Sequence, residues 1–172
     1  MANIFKKAIE NFAPYKDMLD SLERGQTPVS VSGVSAVHKA HFALGLRKKS
    51  PVLMICDSES SASKLAEDIN ALSGETCAFP YPAKDFSFTP AETVSREYEQ
   101  IRLGVLSRLA SDEPNIFICA SAEAAMQRTI PKSALLPRTV TIKAGETVDL
   151  AELAAGLIAA GYSRCDKAEG AS

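Results

Sequence analysis

The sequence predicts an α/β fold: a mainly parallel β-sheet flanked by helices, followed by the start of a small α+β second domain. Short apolar runs typical of buried strands alternate along the chain with segments of helical periodicity. After about residue 133 the pattern changes to a half-polar run, a capped helix and a second short run. We therefore expect a first domain over residues 1–132 and a truncated second domain over residues 133–172.

Composition and charge exclude several classes of protein. The 172 residues are 46% hydrophobic and 23% charged, with a net charge of -2, which is ordinary for a globular chain and gives no bulk argument for nucleic-acid binding. No apolar run approaches the ~18 residues of a membrane span, and the first residues do not form a signal peptide, so a cytoplasmic protein without membrane contact is expected. The four cysteines form no Cys-x-x-Cys pair, so reduced thiols are expected.

The first half of the chain predicts helices around two strands. Helical spacing over residues 5–22, interrupted by a proline, predicts two short helices or one kinked helix. The β-prone run 29–32 leads through a glycine into a helix, and the continuously apolar run 52–56 is typical of a parallel strand covered on both faces. Asp57 or Ser58 can cap the next helix, which Gly74 ends. Its expected inward residues are Ala62, Leu65, Ala66, Ile69 and Leu72.

The second half continues the alternation up to the predicted boundary. Residues 77–79 predict a brief strand, and 80–89 a loop rich in proline and aromatic residues. A capping box at 89–92 opens a long helix, the apolar run 116–119 predicts a buried strand, and Ser121 caps a short helix. The long helix is expected to turn Val94, Tyr98, Ile101, Val105 and Leu109 inward and to expose Arg96, Glu97, Glu99 and Arg102.

The predicted second domain is brief. Residues 140–142 alternate like a half-exposed strand, and Asp149 and Glu152 form a capping pair for a helix that Gly161 ends. Residues 162–167 predict another strand. One such β-α-β piece is too small to bury a core alone, so this domain is expected to be incomplete here.

A degenerate phosphate loop (Walker A motif) is the segment that should carry chemistry. A working loop reads Gly-x-x-x-x-Gly-Lys-Ser/Thr, because its amides cradle phosphate, its lysine reaches the β/γ oxygens and its hydroxyl holds Mg²⁺. Gly33 and Lys39 are in register, but His38 replaces the second glycine and Ala40 replaces the hydroxyl. Three interpretations stay open: a relic loop in a P-loop NTPase-like fold, an unrelated helix start, and a divergent site that still binds ATP.

Other residues with chemical potential lack the partners that a site needs. His38 and His41 lie three apart, but no nearby Asp, Glu or Cys completes a metal shell. Candidate nucleophiles Ser35, Ser58 and Ser121 stand outside any Gly-x-Ser-x-Gly motif. We therefore expect no catalytic residue, no metal and no cofactor in this chain.

Several segments, in this order and spacing, resemble the bacterial transcription-repair coupling factors (the Mfd family). They are Val29–Leu46 with its broken loop, Pro51–Leu72 with Lys64-Leu65-Ala66-Glu67-Asp68, Phe79-Pro80 with Asp85, Val94–Leu109, Ile116–Gln127, and Val140–Asp166 with Lys143-x-Gly145 and Gly161-Tyr162-x-Arg164. The layout is also similar to the excision-repair protein UvrB. It departs from UvrB in the phosphate loop and in residues 80–89, where UvrB carries a long damage-probing hairpin.

The resemblance implies a non-catalytic, UvrB-like module. In that family the second domain of the module recruits UvrA, while RNA polymerase, DNA, ATP and Mg²⁺ are bound by other parts of the full protein. Arg138, Lys143 and Arg164 are the candidate UvrA contacts here, chosen by residue type and placement. The alternatives are a divergent ATP-binding domain of a helicase or translocase, and a structural domain that restrains the motor.

Overall fold

A computed structural model describes residues 9–46, 50–84 and 97–165, except the side chain of Glu97. In chain order the helices and strands are α1 Ala13–Glu23, α2 Ala36–Gly45, β1 Val52–Cys56, α3 Glu59–Ser73, β2 Ala78–Tyr81, α4 Glu97–Ala110, β3 Phe117–Ser121, α5 Ala122–Met126, α6 Lys132–Leu135, a 3-10 turn Leu136–Arg138, and α7 Leu150–Ala159. The capping box at 89–92, Val94, Arg96 and the end of the strand predicted at 162–167 lie outside the described residues.

The sheet has three parallel strands in the order β1-β3-β2. Phe117, at the start of β3, pairs with Val52 on one side and with Ala78 on the other. All five residues of β3 are buried, as expected of a central strand. The predicted α/β fold with a parallel sheet is thereby confirmed.

The core lies where α2 and α3 pack together against the sheet. Small side chains dominate the helix contact, which lets the two backbones approach closely. The buried cluster comprises Ala40, Ala43, Ala62, Leu65, Ala66, Ile69, Cys77, Ala78, Phe117 and Cys119. The predicted inward face of α3 is confirmed, because four of its residues are buried and Leu72 packs against the cluster.

The local signals at the ends of α3 and α5 are also confirmed. The Ser58 hydroxyl accepts a hydrogen bond from the Ser61 amide at 3.1 Å, and Gly74 closes α3 with φ = 75°, a left-handed conformation that favours glycine. The Ser121 hydroxyl caps α5 by accepting from the Ala124 amide at 3.1 Å. Each of these ends is set within a few residues of the chain.

Two predictions for the strands of the first unit are wrong. Residues 29–32 form no strand in the described structure; three of the four are exposed, and β-propensity without a neighbouring strand forms no ladder. The expectation that 52–56 is covered on both faces also fails, because Leu53 is 59% and Ile55 54% exposed. Among the described strands β1 pairs with β3 alone, and its burial alternates along the strand.

Two further corrections concern β2 and α4. The second strand begins one residue later than predicted and continues through Pro80 to Tyr81, which is tolerated because β2 lies at an edge of this sheet. In α4 the inward face includes Arg102, 3% exposed, and Val105, whereas Tyr98 and Ile101 are exposed. Apolar spacing alone placed the inward face incorrectly, because the Arg102 side chain is buried as far as Nη2 of its guanidinium group.

The chain divides into two compact units. Among the described residues, the first unit contains 9–46, 50–84 and 112–127, and the second contains 97–111 and 128–165. The predicted domain boundary after residue 132 stays a prediction. No described helix has the length and apolar character needed to cross a membrane.

The second unit contains α4, α6, the 3-10 turn and α7. Asp149 caps α7 through its carboxylate, which accepts from the amides of Ala151 and Glu152 at 2.7 and 3.1 Å, as predicted. The predicted strand at 140–142 is wrong, and no strand is present over 162–165 in the described part of the chain. The helix α7 has no buried residue, and Leu150 and Ile158 are largely exposed.

Candidate functional site

The start of α2 carries the degenerate loop. Gly33 has φ = 73° and open space around it, so the backbone turn there requires a residue that tolerates the left-handed region. Ser35 is the N-cap of α2, and its hydroxyl lies 2.8 Å from Nδ1 of His38 rather than capping a backbone amide. His38, which stands in place of the second glycine, therefore closes the first turn of α2 through its side chain.

A cleft of about 770 Å³ lies beside this loop in the first unit; we call it the loop cleft. Its volume is within the ~300–1,000 Å³ range of small-molecule sites. Apolar side chains from α1, the loop, α2, β1 and α3 form much of its lining, among them Met18, Val34, Phe42, Leu46, Met54 and Leu65. Gly33 and Lys39 both line it, so the structure brings together the two loop residues that match a working motif.

Four charged side chains line the loop cleft: Lys39, Asp57, Lys64 and Asp68. Lys64 and Asp68 form an ion pair with 3.0 Å between Nζ and Oδ1. This hydrogen bond, together with the charge of Asp68, raises the pKa of Lys64. A hydrogen bond from Ser61 and, more weakly, the charge of Lys39 lower the pKa of Asp57. In the lining of the cleft, two lysines are therefore matched by two carboxylate side chains.

The thiols next to the loop cleft are not poised as nucleophiles. Burial, with the charge of Asp57 adding to it, raises the pKa of Cys56, which lines the cleft. Burial raises the pKa of Cys119 to about 12, with smaller contributions from Cys56 and Cys77. Because the thiolate is the reactive form, these cysteines stay neutral and unreactive near pH 7. All four cysteines are free thiols, as expected from the sequence, although Cys56 is only half-buried.

The two positions that differ from a working phosphate loop are 38 and 40, and their side chains make contacts unrelated to a phosphate site. Ala40 is fully buried in the core cluster and has no oxygen to hold a metal. The His38 and His41 ring centroids lie 6.0 Å apart. The described residues contain no group of three or more His, Cys, Asp or Glu side chains placed to hold a metal ion. The loop cleft can therefore offer cations and helix amides to a ligand, but no described metal ligand set.

The predicted partner contacts Arg138, Lys143 and Arg164 are all exposed and all belong to the second unit. Arg138 ends the 3-10 turn, and its Nη1 donates to the Ala134 carbonyl at 3.0 Å. Lys143 lies 4.0 Å from the Glu146 carboxylate across a turn at Gly145. Arg164 follows α7 in a segment without regular secondary structure. The 3-10 turn contacts α7, so Arg138 lies on an element that touches the helix preceding Arg164.

Sequence reasoning missed Lys64 and Asp68 as residues of the site. Their i,i+4 spacing on α3 signals an ion pair, but the sequence does not show which face of α3 borders the loop. Lys64 also lies 3.8 Å from Glu67, which does not line the cleft. Only the packing of α2 on α3 places the pair opposite Lys39.

Comparison with known proteins gives one informative similarity. The chain is 24% identical over 155 residues to the transcription-repair-coupling factor of Bacillus subtilis (strain 168). The aligned region covers 88% of this chain but only 13% of that protein's length. No protein-family model matches the chain. This similarity supports a relation to transcription-repair coupling factors and to DNA repair.

Proposed function

We propose that the chain is a non-catalytic, UvrB-like N-terminal module of a transcription-repair coupling factor. In this proposal its second domain recruits UvrA to RNA polymerase that has stalled on damaged DNA. RNA polymerase, DNA and the ATP- and Mg²⁺-dependent motor would be handled by other parts of a longer protein. The chain itself would have no catalytic residue and no cofactor.

The similarity to the Bacillus subtilis protein is the observation that carries this proposal. It extends over 88% of the chain, so both units contribute to it rather than one common motif. It also agrees with the order of motifs by which the sequence resembles that family. Because the match covers 13% of the relative, a module within a larger machine fits better than a self-contained enzyme.

The chemistry of the loop cleft supports the non-catalytic part of the proposal. Phosphoryl transfer needs Mg²⁺ bound by a hydroxyl and an acid near the β/γ phosphates. The hydroxyl position is Ala40, buried in the core, and the second glycine position is His38, whose ring contacts Ser35. These groups leave a cleft that has lysines but lacks the loop's metal-binding hydroxyl.

Charge reversal of the three candidate contacts is expected to weaken UvrA binding. The variant Arg138→Glu/Lys143→Glu/Arg164→Glu replaces three exposed cations of the second unit by anions. We expect the dissociation constant for UvrA to rise at least about tenfold, because like charges at an interface reduce both affinity and association rate. Biolayer interferometry with immobilised chain and purified UvrA measures this.

The control for that experiment is a variant with the same charge change in the first unit, Lys16→Glu/Arg24→Glu/Lys84→Glu, all at exposed positions. Its affinity for UvrA is expected to stay within about twofold of the unchanged chain, because these cations belong to the first unit and are not among the candidate contacts. Equal loss in both variants, or no UvrA binding by the folded chain, would contradict recruitment through these residues.

A second candidate function, ATP binding by a divergent loop, is favoured by one observation: Gly33 and Lys39 still line the same cleft. Thermal unfolding with Mg-ATP separates the two functions. A site with ligand at a hundred times its dissociation constant adds ~2.7 kcal/mol of stability. We expect no shift at millimolar nucleotide. A saturable shift that Lys39→Ala abolishes would instead establish a nucleotide site.

A further inference from the structure

The charge balance of the loop cleft differs from that of a phosphate site. Sites that bind phosphate concentrate positive charge, because the ligand carries several negative charges into a partly enclosed space. Here Lys39 and Lys64 are accompanied in the same lining by Asp57 and Asp68. The charges of the four side chains sum to zero, so their net charge does not attract an anion.

Asp68 pairs directly with one lysine of the cleft, and Asp57 lines the same cleft as the other lysine. Asp68 holds Lys64 in a direct ion pair at 3.0 Å, and Asp68 is the less exposed partner, with 25% of its side chain accessible. Asp57 follows β1 immediately, and the charge of Lys39 acts on it. An entering phosphate would have to displace Asp68 from Lys64 and share the cleft with Asp57, so both carboxylates would repel it.

We propose that Asp57 and Asp68 are anion-excluding residues, whose negative charges offset those of Lys39 and Lys64 in the lining and make the loop cleft reject phosphate-bearing ligands. This inference rests on the proposed non-catalytic function. It adds a second reason why nucleotide would not bind, one that the sequence of the loop alone does not give. The substitutions at His38 and Ala40 remove favourable contacts with nucleotide and metal. The two carboxylates add an unfavourable interaction, which acts on any polyphosphate regardless of metal.

The test is to remove the two negative charges without changing side-chain shape. Asp57→Asn/Asp68→Asn raises the charge of the lining by two and keeps oxygen atoms that can accept hydrogen bonds from Ser61 and Lys64. The probe is inorganic pyrophosphate without divalent metal, titrated at low ionic strength into ¹⁵N-labelled chain and followed by amide chemical shifts. We expect saturable shifts at Gly33, Val34 and Lys39, with a dissociation constant at least about tenfold below that of the unchanged chain.

A matched control removes two negative charges outside the cleft. Asp17→Asn/Glu123→Gln makes the same change in net charge at exposed positions that do not line the cleft. Its pyrophosphate affinity is expected to match that of the unchanged chain. Adding Lys39→Ala to the Asp57→Asn/Asp68→Asn variant should remove most of the gained binding, and raising the salt concentration should weaken it.

The outcomes separate this inference from the proposed function. Pyrophosphate binding that stays weak in a folded Asp57→Asn/Asp68→Asn variant overturns the inference and leaves the non-catalytic proposal standing. An equal gain in the control variant also overturns it, because net charge rather than placement would then decide. Tight, saturable binding of Mg-ATP by the unchanged chain overturns the non-catalytic proposal itself.

Discussion

Replacing Asn70 with alanine is expected to lower the free energy of unfolding by about 2–4 kcal/mol, one of the two largest effects predicted for this chain. The Asn70 side chain joins α3 to the start of β2. Its Oδ1 accepts from the amides of Cys77 and Ala78, both at 2.8 Å, and its Nδ2 donates to the Ala78 carbonyl at 2.9 Å. One amide group therefore satisfies three backbone groups.

The expected cost comes from what the substitution leaves behind. Cys77 and Ala78 are 3% and 1% exposed, so water has little access to the backbone groups that Asn70 satisfies. Each buried donor or acceptor left without a partner costs about 1–3 kcal/mol, partly relieved where water can enter. Alanine restores none of these hydrogen bonds, although its higher helix propensity offsets a few tenths of a kcal/mol.

Urea unfolding followed by far-UV circular dichroism measures the effect. The control is Glu67→Ala on the exposed face of the same helix, where Glu67 is 72% exposed and 3.8 Å from Lys64. A surface substitution of this kind is expected to change stability by less than about 0.5 kcal/mol. If Asn70→Ala had no larger effect than Glu67→Ala, the role of this side chain in holding β2 would be disproved.

Features set by neighbouring residues could be predicted from the sequence. Ser58 and Gly74 define the ends of α3, and Asp149 defines the start of α7, because capping depends on three or four consecutive residues. Features set by distant residues could not. The burial of Arg102 and the exposure of Leu53 depend on which elements pack together, and apolar spacing contains no such information.

The residues of the candidate site could likewise be predicted from the sequence only where a local motif contains them. The motif identified Gly33 and Lys39, and the structure places both at the loop cleft. It could not identify Asp68, which is 29 residues further along the chain and reaches the cleft only because α2 packs on α3. Asn70 was also missed, since a polar residue within an amphipathic helix carries no signal of the strand it will contact.

Replacing Gly45 with alanine is expected to destabilise the first unit by about 1–3 kcal/mol, because the added methyl group has no space. A Cβ atom at this position would overlap Oη and Cζ of Tyr15. Tyr15 is 2% exposed and packs edge-on against Phe42, with ring centroids 5.2 Å apart, so it cannot swing out of the way without losing that contact.

Gly104 provides the matched control for this prediction. It lies within α4, is exposed, and a Cβ there would meet nothing within 4 Å. Gly104→Ala is therefore expected to stabilise its helix by about 0.5–1 kcal/mol, so the two substitutions should have opposite signs. A double-mutant cycle then assigns the cause: in a Tyr15→Ala background, Gly45→Ala should lose most of its cost. An unchanged cost in that background would show that Tyr15 is not the residue that requires glycine at position 45.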